Sequence, residues 1–481
     1  MRHPARLRWA LGTTIAGGLF AASPAAAAAA EAGPALGTQL PAWSAVPFVG
    51  ILLSIALFPL LAPQFWHHHF PKISLFWGAL LVVPFVLAYR GAAAYELLHI
   101  AIADYIPFVI LLATLFTVGG GILVRGSLRG SPEVNVTLLT IGTLLASFIG
   151  TTGAAMILIR PLLRANAGRR HRAHTVVFFI FLVANIGGSL TPLGDPPLFL
   201  GFLRGVPFFW TFELITEWLV VAFAVLAIYY ALDRFFWTRE DELLRRPAAG
   251  PREPLRLAGT HNLLFLAGVL GAVILSGVWH PGEVVIFGVH QGIQNLARDA
   301  FLLLLLLASW KTTRRELRVE NGFSWFPIKE VAILFAAIFA TITPLLAILR
   351  AGEAGAMAPL IAAVQSPAHY FWASGVLSSF LDNAPTYLSF LSTALGRFYP
   401  GVPEREAIQL LIATHGEYLK AVSTGAVFMG ANTYLGNAPN FMVKSIAEEG
   451  GVEMPSFFGY VLRYTLPVLI PVFIVTTWIF F

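Results

Sequence analysis

Ala146-Ser147-Phe148-Ile149-Gly150-Thr151-Thr152-Gly153, followed by Leu193-Gly194-Asp195-Pro196-Pro197, is matched later in the chain by Ser378-Ser379-Phe380-Leu381-Asp382-Asn383-Ala384-Pro385 and Leu435-Gly436-Asn437-Ala438-Pro439. The same two motifs in the same order mark an internal duplication. The likeness continues downstream, where Val206-Pro207-Phe208-Phe209 has a counterpart in Met454-Pro455-Ser456-Phe457. In each half a polar, Gly- or Pro-bearing break interrupts an otherwise apolar run. Paired breaks at corresponding places in two halves point to a substrate site between inverted repeats of a transporter.

Composition places the chain in a membrane: 57% of residues are hydrophobic and 12% charged, against about 25% charged in soluble domains. The formal net charge of +6 does not imply nucleic acid, because the bases fall in short segments between apolar spans, as in cytoplasmic loops. Zero cysteines exclude disulfides and thiolate metal sites and leave the compartment undetermined. At the amino terminus, Arg2, Arg6 and Arg8 precede an apolar run from Trp9 to Ala22 and the alanine-rich Ala25 to Ala30. This reads as a cleaved secretory signal over residues 1–30, with an uncleaved first helix as the alternative.

A helix needs roughly 20 apolar residues to cross the hydrocarbon core. Hydropathy gives about ten such spans, among them Trp43 to Leu61, Ile73 to Tyr89, His174 to Phe202, Tyr418 to Ile446 and Phe457 to Phe481. Two further apolar stretches, 136–163 and 369–395, carry a small or polar break at their centres and read as re-entrant hairpins. Broken backbone at membrane depth must be sheltered by protein or line a cavity, since lipid satisfies no N–H or C=O group. With the mature amino terminus outside, lysines and arginines favour the inner face by roughly two to one, as the positive-inside rule requires. The first hairpin then enters from the cytoplasmic side and the second from the opposite side. The expected fold is an all-α polytopic membrane protein in two inverted-topology repeats. Residues 31–72 form an amino-terminal span and loop. The first repeat covers 73–232 with a broken helix at 174–202, and the second covers 329–481 with one at 418–446. Residues 233–328 lie between them as loops and connector spans, too short in their polar stretches to bury a soluble core.

Oxygen-bearing side chains concentrate at the breaks. Thr151, Thr152, Thr191, Asn383, Thr386, Asn432, Thr433 and Asn437, with freed backbone carbonyls, make a hard-oxygen environment suited to an alkali cation. Any one of them also serves to satisfy a helix carbonyl. Asp195 and Asp382 carry more weight, since a carboxylate deep in a bilayer costs on the order of 3 kcal/mol and is usually functional. Such a group holds a proton or a sodium ion but not both at once, which is the physical basis of exchange. The alternative role for each is to cap a half-helix amino terminus. His67-His68-His69 cannot all face one ion and reads as a loop run between spans. His415 and Glu417 lie just ahead of the second broken helix, and Lys444 just after its break.

The segments around Asp382-Asn383-Ala384-Pro385-Thr386, Leu190-Thr191-Pro192-Leu193-Gly194-Asp195-Pro196-Pro197 and Asn432-Thr433-Tyr434-Leu435-Gly436-Asn437-Ala438-Pro439-Asn440 together resemble the ion transporter superfamily, over most of the chain after Ile73. That group includes D-type sodium/proton antiporters, arsenite pumps and citrate or dicarboxylate carriers; the nearest resemblance is to antiporter-like members labelled as citrate transporters. It implies two inverted repeats, each with a re-entrant hairpin and a broken helix, and commonly a homodimer in the bilayer in which a transport unit moves against a scaffold; no cofactor is expected. Dicarboxylate carriers show Ser-Asn-Thr at the hairpin tips, where this chain has Gly150-Thr151-Thr152 and Asp382-Asn383-Ala384. The expectation is therefore Na+ or Li+ exchange for H+, with uptake or efflux of citrate, another organic anion or arsenite as the alternative. Two intramembrane aspartates also admit an aspartyl protease, a reading that leaves the duplication unexplained.

Overall fold

The computed structural model describes residues 33–241 and 254–481; the signal-like residues 1–30 lie outside them. After a short helix, Gly33–Gln39, α1 runs over Val46–Leu61 and α2 over Pro63–Ile100, sharply broken at Arg90. A π-turn, Ala101–Tyr105, leads into α3 at Ile106–Gly119. The first hairpin pairs α4, Pro132–Ile149, with α5, Thr151–Ala165. The interrupted helix that follows is α6, Ala173–Leu182, then a 3-10 turn, then α7, Pro196–Arg204. Next come α8, Ile215–Trp237, α9, His261–Val278, α10, Ile293–Thr312, and α11, Phe326–Arg350. The second hairpin pairs α12, Pro367–Phe380, with α13, Asn383–Phe398. Its interrupted helix is α14, Glu404–Met429, and α15, Ala438–Glu449, before the chain ends in α16, Ile470–Phe480.

Among the described residues, eight helical stretches are long and apolar enough to cross a membrane. The fold is an all-helical multi-pass membrane protein, with two short antiparallel ribbons as its only strands among those residues. One ribbon pairs Leu123–Arg125 with Arg256–Ala258, which puts the end of α3 and the start of α9 on one face. Arg125 meets Glu320 at 2.5 Å on that same face. The first hairpin opens from it. From there the chain crosses through the interrupted helix, α8, α9, α10 and α11 before the second hairpin begins. Five crossings place the second hairpin on the opposite face, so the halves run in opposite senses.

The two hairpins start alike. Ser131 and Ser366 accept from the backbone N–H groups of Val134 and His369, each with proline in the first turn, a regular helix start. They turn differently. Gly150, at φ 79° and ψ 149°, reverses the first hairpin through a conformation open almost only to glycine. The second turns over Leu381 and Asp382, both extended at negative φ. At the interruptions the loop folds back on itself: a Cβ on Gly194 would lie 2.1 Å from the Gly188 carbonyl oxygen, and one on Gly436 2.4 Å from that of Gly430.

The hairpins and interrupted helices form the interior. All but the first residue of α6 are buried, from His174 to Leu182, as an almost wholly apolar helix requires. Around them stand α2, α3, α10 and α11, packed crosswise: α2 lies on α11 and α10 on α3. Of the spans between the hairpin-bearing segments, α10 packs on α3, and α11 packs on both α2 and the second hairpin's α13. Two sequence readings change. His67, His68 and His69 lie within helix α2, because Pro63 starts it early; His68 and His69 contact the carbonyls of Gln64 and Phe65, and the described residues hold no cluster of three metal-ligating side chains. The helix expected from Tyr418 begins at Glu404 and bends at His415, its charged first turns having masked it in hydropathy.

Candidate functional site

Asp195 sits where both halves meet. It is the residue before α7, buried at 2% exposure. Its Oδ1 accepts from the Thr151 hydroxyl at 3.1 Å and from Asn437 Nδ2 at 2.9 Å, and its Oδ2 accepts from Asn383 Nδ2. One carboxylate thus draws donors from the first hairpin tip, the second hairpin tip and the second interruption. All three donors are neutral. The Asn437 amide also donates to the Ala184 carbonyl at 3.0 Å, which ties the second interruption to the end of α6.

Asp382 is placed differently. It is half-buried, and its Oδ1 accepts from the Ala384 N–H at 3.0 Å as the cap of α13. The two aspartates are not hydrogen-bonded to each other, unlike a carboxylate dyad sharing a proton. Both line a cavity of about 80 Å³ together with Gly150, Thr151, Thr152 and Asn437. That is room for a few water-sized groups. Its other wall is apolar, from Phe108, Leu111 and Leu115 of α3 and Val331 and Phe335 of α11. The lining reaches Phe116 and Pro327, the ends of α3 and α11 that lie on the first-hairpin face. The cavity lining thus extends toward that face.

Four half-helices start at this point: α5 after Gly150, α7 after Asp195, α13 after Asp382 and α15 after Asn437. Their free N–H groups and dipoles favour negative charge. Among the described residues no Lys, Arg or His lines the cavity, so backbone dipoles and neutral donors face the two carboxylates there.

The remaining sequence candidates divide into two groups. Thr151, Thr152, Asn383 and Asn437 line the cavity or touch Asp195. Thr191, Thr386, Asn432 and Thr433 hold backbone or neighbouring side chains instead. The Thr191 hydroxyl donates to the Ser147 carbonyl and accepts from Leu193 N–H at 3.1 Å; Thr433 does the same with Ser379, at 2.5 Å, and Leu435 N–H, at 3.0 Å. Thr386 donates to the Asp382 carbonyl at 3.0 Å and Asn432 to the Ser379 hydroxyl at 2.9 Å. Sequence reading missed Asn185, hidden in an apolar run. Its amide donates to Asn440 Oδ1 at 2.7 Å and to the Ile180 carbonyl at 2.8 Å, joining the two interruptions. The amide oxygens of Asn185, Asn383 and Asn432 are buried without a donor. Orphaned oxygens of this kind suit a hard cation.

No curated protein matches the chain. Residues 37–481 match the family model described as "Putative citrate transport", and the chain accordingly belongs to that family of membrane transport proteins.

Proposed function

We propose that the protein is a cation-coupled secondary transporter of an organic anion of citrate's class, with Asp195 and Asp382 holding the coupling cation or proton. The observation that carries this reading is the convergence of four half-helix amino termini on a cavity whose only ionisable lining groups among the described residues are two carboxylates. The dipoles attract an anion. The carboxylates repel it unless a cation enters between them, at close range a matter of several kcal/mol. Coupling follows from that balance, because the anion is held well only when the cation is present. Thr151, Asn383 and Asn437 keep Asp195 oriented.

The second reading is Na+ or Li+ exchange for H+ at the same carboxylates, and the lack of any basic lining residue favours it. Family membership speaks for transport over intramembrane proteolysis. We place the protein in the inner membrane, as a homodimer, with the first hairpin on the cytoplasmic side. In proteoliposomes, labelled citrate accumulating under an imposed Na+ or H+ gradient supports anion cotransport. A Na+- or Li+-induced collapse of ΔpH without citrate supports exchange and overturns the first reading.

A further inference from the structure

On the face opposite the first hairpin lies a second cavity of about 250 Å³, lined by charged side chains including Asp104, Arg204, Arg350 and Glu404. These four form a continuous chain. Arg204 Nη2 meets Asp104 Oδ2 at 2.6 Å, Arg204 Nη1 meets Glu404 Oε1 at 2.8 Å, and Arg350 Nη1 meets Glu404 Oε2 at 3.2 Å. Each residue stands at or beside the end of an element: Asp104 in the π-turn before α3, Arg204 last in α7, Glu404 first in α14 and Arg350 last in α11. The Asp104 and Arg204 side chains are 3% and 7% exposed. A pair this buried is strongly resistant to losing one partner.

The chain joins two packing groups. Helix α7 packs chiefly on α13 and α14, inside the hairpin unit, whereas the π-turn of Asp104 packs mainly on α2, α3 and α11 and only lightly on α7. Helix α7 has nine residues; Asp195 precedes it and Arg204 ends it. One short rigid rod therefore carries the site carboxylate at one end and the buried arginine at the other. Any displacement that turns Asp195 toward the second-hairpin face draws Arg204 along with it.

We propose that Arg204 is a positioning residue for transport: its ion pair with Asp104 latches the second-hairpin face shut while the site opens to the first-hairpin face. Glu404 binds Arg204 on one side and Arg350 of α11 on the other, and so adds a second ion pair across the same face. The latch rests on the transporter reading but not on any particular substrate.

The chain has no cysteine, so a single Thr152→Cys reports on the cavity. Its labelling by a membrane-impermeant maleimide is measured from each face in vesicles of known orientation. In the otherwise unchanged protein, label enters from the first-hairpin face. Adding Asp104→Asn raises labelling from the opposite face by about fivefold or more, the lower end of typical coupling between states. Glu404→Gln frees the same arginine on its other side and shifts the ratio in the same direction, which guards against one variant failing to insert. An unchanged ratio in both folded variants overturns the latch. Labelling requires no substrate, so failure of the latch and failure of the citrate reading are separate results.

Discussion

The two halves share a skeleton and differ in their charges. Thr191 and Thr433 pin each interruption to its hairpin through matching hydrogen bonds, and Gly188–Gly194 and Gly430–Gly436 make matching close approaches. The acidic groups do not match. Asp195 stands where the second half has Asn437, and Asp382 where the first has Gly150. Duplication supplied two sets of broken helices, and divergence left one carboxylate on an interruption and the other on a hairpin tip. The amide at 437 then serves the carboxylate at 195 as a donor, a role that a second aspartate cannot fill.

The hairpin bases differ as well. In the first half, Asp233 of α8 receives Arg169 at 2.5 Å, His174 at 2.8 Å, Asn135 at 3.1 Å and Tyr229 at 3.2 Å, all buried. In the second, His415 stacks on Phe398 with ring centroids 4.1 Å apart and contacts Tyr399 Oη at 3.1 Å. The first hairpin is tied to α8 by buried charge, the second by an aromatic contact at a helix bend.

This contrast gives the largest expected loss of stability. Arg169→Met leaves Asp233 buried without its cation and costs roughly 3–5 kcal/mol, whereas His415→Ala costs about 1 kcal/mol for the lost ring contact. Thermal unfolding in detergent compares them, and equal losses would break the distinction between the bases. Next comes Asn437→Asp, which copies the first half's residue into the second. It removes donors from Asp195 and from the Ala184 carbonyl and costs roughly 2–4 kcal/mol. A variant as stable as the parent would mean that the two halves are chemically interchangeable at this point. The smallest effects test the shared skeleton: Thr191→Val and Thr433→Val each lose about 1 kcal/mol. Unequal losses would show that the pins are not equivalent.

Hydropathy and the repeated breaks located both hairpins and both interruptions, because a polar gap in an apolar run is a local signal. They also singled out Asp195, Asp382, Thr151, Asn383 and Asn437 as candidates at those breaks. What they could not give is who meets whom. Asn383 and Asn437 reach Asp195 from positions 188 and 242 residues away, and such pairing leaves no mark on local periodicity. Asn185 was hidden by the apolar residues around it, and the Asp104–Arg204–Glu404 chain by the ordinary reading of charges near helix ends as interfacial. The crosswise packing of α10 on α3 was likewise a tertiary fact, which made supporting helices of spans that read as connectors.

In the proposed function Asp195, held by three neutral donors from both halves, couples transport. The direct measurement is gradient-driven uptake and cation-induced ΔpH change in proteoliposomes, comparing the parent with Asp195→Asn at matched reconstitution. The variant is expected to insert and fold, with its gradient-dependent flux falling to the level of empty liposomes. Coupled flux at the parent's rate in Asp195→Asn would contradict it and reduce Asp195 to a helix cap.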